Sequence, residues 1–196
     1  MTRPILDTDL ERDLLAAVAR VRPLAEAYAR ESERGATLHP KVVAALHHER
    51  LFALTAPAEL GGHDASGATQ LAVYEAMAHA DSLAGWALMI GGTVTGMLGA
   101  YLPDASVRAI FAGRSPVAAG LQVPMGVARP VAGGYRVSGR WGFGSGIRHA
   151  DWVFTAALVE GTGTSGPPSF VHVAVPVAQV VIEDTWDTAF LRGSGS

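Results

Sequence analysis

The chain has 196 residues, 49% hydrophobic and 17% charged, which excludes a disordered segment and allows one large domain or two small ones. Its formal net charge is −3, with Lys41 the one lysine among 15 basic residues, so it has no general attraction to nucleic acid or an anionic membrane. It has no cysteine, which excludes disulfide frameworks, thiolate metal sites and cysteine nucleophiles and fits a cytoplasmic protein.

The opening stretch MTRPILDTDLERD has no apolar run before its charges, so no signal peptide is expected. Leu10, Leu14 and Val18 recur at helical spacing, and Leu24 and Tyr28 continue the pattern past Pro23, which is expected to kink or split the helix before Gly35 closes it. His39-Pro40 opens a second helix through Val42, Val43 and Leu46. Residues 54–67, LTAPAELGGHDASG, read as a loop, and a third helix is expected over 68–80. The stretch LAGWALMIGGTVTGMLGAYL, 83–102, carries no charge and contains Gly92-x-x-x-Gly96. Length and hydropathy admit a membrane helix, but its five glycines and two threonines, with no Lys or Arg close by, favour a helix buried in a bundle. Pro103-Asp104 starts a short helix ending near Gly113.

From Pro116 the pattern turns to strands. VARPVAGGYRVSG is a hairpin about Gly133-Gly134; WVFTAALVE, SFVHVAVPV and VVIED read as further strands. The expected class is therefore α+β, with an all-α domain over 1–115 and a β domain over 116–196.

Several motifs fail. Gly161-x-Gly163-x-x-Gly166 matches a dinucleotide fingerprint, but Pro167-Pro168 and a strand follow where a helix is required. No serine lies in G-x-S-x-G, and no phosphate-binding loop is present. None of the seven histidines has H-x-x-x-H spacing; His149-Ala-Asp151 and His63-Asp64 suit strand-edge hydrogen bonding better than a metal, so no metal site and no catalytic residue is assigned.

GRWGFGSG, 139–146, is different. Period-two alternation puts Trp141, Phe143 and Ser145 on one strand face and Gly142, Gly144 and Gly146 on the other, so that a backbone or a flat ligand can approach the bare side. A barrel corner with aromatics filling the interior accounts for the same spacing, and on spacing alone it is the commoner explanation.

Four motifs in order, PAELGG at 57–62, HADSLAGW at 79–86, GGYRVSGRWGFGSGIRHADW at 133–152 and DTWDTAFLRGSGS at 184–196, resemble the acyl-CoA dehydrogenase superfamily. The form W-x-F-x-S-G is similar to its two-component flavin-dependent monooxygenases. The resemblance implies a helical domain followed by an antiparallel β-barrel, incomplete here, with a C-terminal four-helix domain absent. It implies FAD or FMN as cofactor, delivered reduced by a separate reductase, and hydroxylation of a small aromatic substrate with O2. It places Ser145 at the flavin N5 region, Trp141, Phe143 and Trp186 near the ring, Gln122 at its edge, and Trp86 beside substrate and flavin. A homo-oligomer or a complementing chain is the implied assembly. An acyl-CoA dehydrogenase, whose flavin takes a hydride at N5, and a non-catalytic remnant that binds a partner through an unpaired edge are the alternatives.

Overall fold

A computed structural model describes residues 8–163 and 167–196. Part of the G-x-G-x-x-G match and the first residues of the chain lie outside them.

Helix α1, Thr8–Arg34, runs unbroken through Pro23, where a kink or split was expected. Pro23 is solvent-exposed, and because it has no N–H the helix lacks one internal hydrogen bond there without being split. Helix α2, Pro40–His48, starts as its sequence dictates: Pro40 occupies the first turn, and His39 Nδ1 accepts from the Lys41 amide at 3.2 Å. Two 3-10 turns, Leu51–Ala53 and Ala58–Leu60, lie in the following connection. Helix α3, Gly67–Ala80, is capped by Ser66, whose hydroxyl accepts from the Thr69 amide. Asp81 then caps α4, Ser82–Tyr101, accepting from the Ala84 amide at 3.0 Å. Helix α5 is Asp104–Ile110.

Helix α4 is long and apolar enough to cross a membrane, and 61% of its apolar window is buried inside the fold. Its small residues explain this. Thr55 packs against Gly96, where a Cβ would lie 2.9 Å from the Thr55 carbonyl oxygen. Gly85 likewise leaves room for Ala78 of α3 at a distance a side chain would close to 2.7 Å. The glycines of 92–96 thus serve contacts within one chain.

Two apolar clusters follow one another along α4, one at Leu83–Leu88 and the other at Val94–Leu98. One joins Leu14, Val18, Val21, Leu46, Phe52, Val73, Met77 and Leu88, from α1 to α4. The other joins Leu98 and Phe111 to Ala118 and Phe154 of the sheet. Burying a side chain such as Phe52 or Phe154 contributes about 2–3 kcal/mol.

The strands are β1 (Ala118–Ala119), β2 (Pro124–Val131), β3 (Gly134–Ser138), β4 (Trp152–Val159) and β5 (Phe170–Pro176). The β2–β3 hairpin forms as expected, pairing Val131 with Gly134 around a turn in which Gly133 takes φ 82°. The sheet departs from the antiparallel barrel: β1 and β2 both pair with β4 in parallel, one after the other along one edge, while β5 pairs antiparallel along the opposite edge. Parallel pairing follows from the connection, because β3 returns the chain and the 139–151 crossing carries it back to the starting end of β2. Among the described residues the sheet is mixed and open. Residues 180–184, expected as a strand, pair with none of the others and run as irregular chain.

Candidate functional site

The strand expected over GRWGFGSG is absent. β3 ends at Ser138, and Phe143 adopts a left-handed φ of 57°. A single positive φ destroys period-two alternation, so Trp141, Phe143 and Ser145 part company instead of sharing a face.

Trp141 turns onto the sheet. Its indole lies against Gly126 and Gly139; a Cβ on Gly126 would meet Cη2 at 2.6 Å, and a bulge in the β2–β4 pairing sits between Pro124 and Gly126. Its Nε1 donates to the Ala156 carbonyl at 2.9 Å. The flat group lying on bare glycine backbone is thus this chain's own tryptophan, and the glycines are Gly126 and Gly139, whereas a Cβ on Gly142 would meet nothing within 4 Å.

Phe143 points outward, 69% exposed, and meets Trp186 edge-on with ring centroids 6.3 Å apart. Trp186 is held by its Nε1, which donates to the Leu191 carbonyl at 3.0 Å. Ser145 follows in the next turn, buried, with its Oγ 2.5 Å from Ser196 Oγ. Gln122 fastens its Nε2 to the Phe154 carbonyl at 2.9 Å, leaving a buried Oε1 without a protein partner.

Trp86 stands apart from this wall. It lines a groove of about 690 Å³ with Leu71, Tyr74, Met89, Phe190 and Leu191. The groove is mostly apolar, and Phe190 is 74% exposed at its rim. Residues 186–191 border both regions, with Trp186 facing Phe143 and Phe190 facing the groove.

Beneath the Ser145 turn, burial pushes His149 down to about 4, with His47 adding in the same direction, so His149 is neutral near pH 7. Its Nδ1 lies 3.4 Å from Thr37 Oγ1. Asp151 is committed to structure: one oxygen accepts from the Val117 amide at 2.8 Å and the other from Arg114 at 2.6 Å. His47 lies within 3.1 Å of Arg114, and its pKa is lowered by burial first and by that guanidinium second. Asp151 thus serves hydrogen bonding, whereas His149 lies in the 3-10 turn Ile147–His149, off the strand edge where it was expected, with a buried Nε2 that has no hydrogen-bond partner among the described residues.

Sequence reasoning missed three residues that complete the Ser145 environment: Ser194, Ser196 and Glu33. The first two lie inside the DTWDTAFLRGSGS motif, but nothing local shows that 194–196 fold back 51 residues in sequence onto Ser145.

The helical part of this architecture, residues 11–105, matches the family model "Acyl-CoA dehydrogenase, N-terminal domain". In sequence and in structure the chain is similar to oxygenase components of flavin-dependent monooxygenases. It is 35% identical over 145 residues to a pigment production hydroxylase of Rhodococcus erythropolis, covering 71% of this chain and 36% of the relative. It is 28% identical over 183 residues to the oxygenase component of an FADH(2)-dependent resorcinol hydroxylase of Rhizobium sp., covering 93% of this chain and 44% of that protein. Its structure superposes on XiaF from Streptomyces sp., solved with FADH2 and glycerol, at a TM-score of 0.87 and 26% identity over 96% of this chain and 47% of the other. The chain thus spans less than half the length of these three proteins.

Proposed function

We propose that this chain carries one side of the site of a reduced-flavin-dependent hydroxylase of small aromatic compounds. The observation that supports this most is the Phe143–Trp186 pair, an exposed aromatic surface next to the buried Ser145 hydroxyl and one short segment away from the apolar Trp86 groove. The residues fit a flavin. Phe143 and Trp186 offer apolar contact to a ring, Ser145 offers a hydroxyl to N5, and Gln122 Oε1 is an unsatisfied acceptor for an N–H at the ring edge. Trp141 backs the wall from within the sheet. Trp86 and Phe190 would bind the aromatic substrate by apolar burial.

When bound, reduced flavin activates O2; the chain supplies position and exclusion of water. Phe143, Trp186 and Phe190 exclude solvent, and Ser145 holds or accepts a proton at one fixed point. In this reading FAD or FMN arrives from a separate flavin reductase, the protein works in the cytoplasm as a homo-oligomer or with a complementing chain, and neither nucleic acid nor membrane takes part. The same reading divides the chain into a helical domain, 1–115, and a sheet domain, 116–196.

The test is titration of the folded chain with FMN and FAD, each oxidised and reduced, followed by flavin fluorescence and absorbance. Saturable binding, tighter for the reduced form and weakened by Phe143→Ala, supports the reading. A folded chain that leaves the spectra of all four species unchanged sinks it. Given binding, oxygen-dependent hydroxylation of a phenol such as resorcinol, with a reductase present, separates this reading from the acyl-CoA dehydrogenase alternative.

A further inference from the structure

Ser145 does not stand alone. Its Oγ lies 2.5 Å from Ser196 Oγ, and Ser196 Oγ lies 3.3 Å from Ser194 Oγ. Ser145 and Ser194 are both buried, at 9% and 3% exposure, so these hydroxyls find their partners largely in one another. The segment bearing Ser194 and Ser196 is pinned at two points. The Glu33 carboxylate accepts from the Arg192 amide at 2.8 Å and from the Gly193 amide at 3.0 Å. The Ser194 carbonyl accepts from the Gly146 amide at 2.7 Å, tying the segment to the residue after Ser145. Gly193 is packed so closely that a Cβ there would stand 2.9 Å from the Ser32 carbonyl oxygen.

We infer that Ser196, held in place by Glu33 and supported by Ser194, is a positioning residue that lets Ser145 switch between donating and accepting a hydrogen bond. The inference rests on the flavin reading above. A serine hydroxyl has one proton and two lone pairs. If Ser145 donates to Ser196, its lone pairs face outward and it accepts from an N–H. If Ser196 donates to Ser145, the Ser145 proton is free to point outward. Oxidised flavin presents N5 as an acceptor and reduced flavin presents it as an N–H donor. A rotatable hydroxyl behind Ser145 therefore allows it to satisfy either form, and the second neighbour, Ser194, stabilises the arrangement in which Ser196 is itself an acceptor from Ser145 and a donor onward. That is the arrangement reduced flavin requires.

The experiment measures Kd for reduced and for oxidised FMN with the whole chain, in the parent, Ser196→Ala, Ser145→Ala and the double variant. Losing one buried hydrogen bond of this kind corresponds to about a 3- to 10-fold change. Ser196→Ala is expected to weaken reduced FMN by that factor and to leave oxidised FMN within about twofold, so that the preference for the reduced form narrows. In the Ser145→Ala background the same substitution is expected to do nothing more. Ser196→Thr, which keeps the hydroxyl, restores the preference, and Glu33→Gln, which weakens the pinning, narrows it again; these two guard against a fold defect in any one variant. Equal affinities in parent and Ser196→Ala, with Ser145→Ala altered, overturn the inference while leaving the flavin reading intact. A folded parent that binds neither form overturns both.

Discussion

Thr55 donates its hydroxyl to the Gly92 carbonyl at 2.5 Å, and one turn further along α4 it fills the space that a side chain at Gly96 would need. This contact turns an apolar, glycine-rich helix into the central support of a folded bundle. Replacing Gly96 with Ala gains about 1 kcal/mol of helix propensity but forces a methyl against the Thr55 backbone, and overpacking of that kind costs about 1–3 kcal/mol. The steric cost wins, because the obstructing atoms include main chain as well as a side chain. Gly96→Ala should therefore lower the urea midpoint, whereas Gly67→Ala, at an open position of α3, should not.

His149 makes stability depend on pH. Its pKa falls from 6.5 unfolded to about 4 folded, so between those values the unfolded chain binds the extra proton. Its contribution is present above the unfolded pKa and is lost as pH falls toward the folded one. From pH 7 to pH 5 the loss is about 2 kcal/mol for this group. His47 and His63, also lowered by burial, act with the same sign. Urea titrations at the two pH values should show the drop, and His149→Leu should shrink it; an undiminished drop in that variant would assign the effect to other groups.

Gly126 and Trp141 are complementary. Gly126→Ala drives a methyl into the indole and should cost about 2–3 kcal/mol, read by thermal unfolding. Trp141→Phe keeps most of the ring but leaves the Ala156 carbonyl without its donor, costing about 1 kcal/mol. The double substitution should cost less than the sum, since the smaller ring makes room for the methyl.

Asp81 caps α4 from a partly buried position. Asp81→Ala should cost about 1 kcal/mol, and Asp81→Asn much less, since both Asp and Asn accept from the Ala84 amide. Burial, the largest influence, raises the Asp81 carboxyl above its ordinary value. A raised carboxyl contributes stability below the unfolded pKa of about 3.9 and loses it as pH rises through the folded value. Asp81→Asn should thus be better tolerated at pH 7 than at pH 3, which paired denaturation curves will show.

The helices were legible in the sequence because their signals are local: the spacing of Leu10, Leu14 and Val18, and His39-Pro40, which sits within two residues of the amide that His39 caps, whereas the Ser66 and Asp81 caps emerged only in the structure. The β2–β3 hairpin was legible for the same reason. The sheet's parallel pairings were not, since β4 meets β1 and β2 across some thirty residues that no short pattern links. At the site, alternation failed at one torsion: nothing in W-G-F-G-S signals that Phe143, rather than a neighbouring glycine, adopts the positive φ. The partners that define Trp141 and Ser145, namely Gly126 and Ser196, are likewise distant in the chain. The sequence motifs nonetheless named the stretches that meet.

β4 is the strand to which the rest of the sheet is attached, with β5 along one edge and β1 then β2 along the other. This placement has a consequence for the order of assembly. The β2–β3 hairpin closes over a two-residue turn at little entropic cost, but β4 gains its partners only after loops on both sides have closed. Folding of the sheet therefore waits on the middle of β4. The amides of Phe154, Thr155 and Ala156, whose side chains are buried and whose strand is flanked on both edges, should be the last to exchange with deuterium, and the β3 edge among the first.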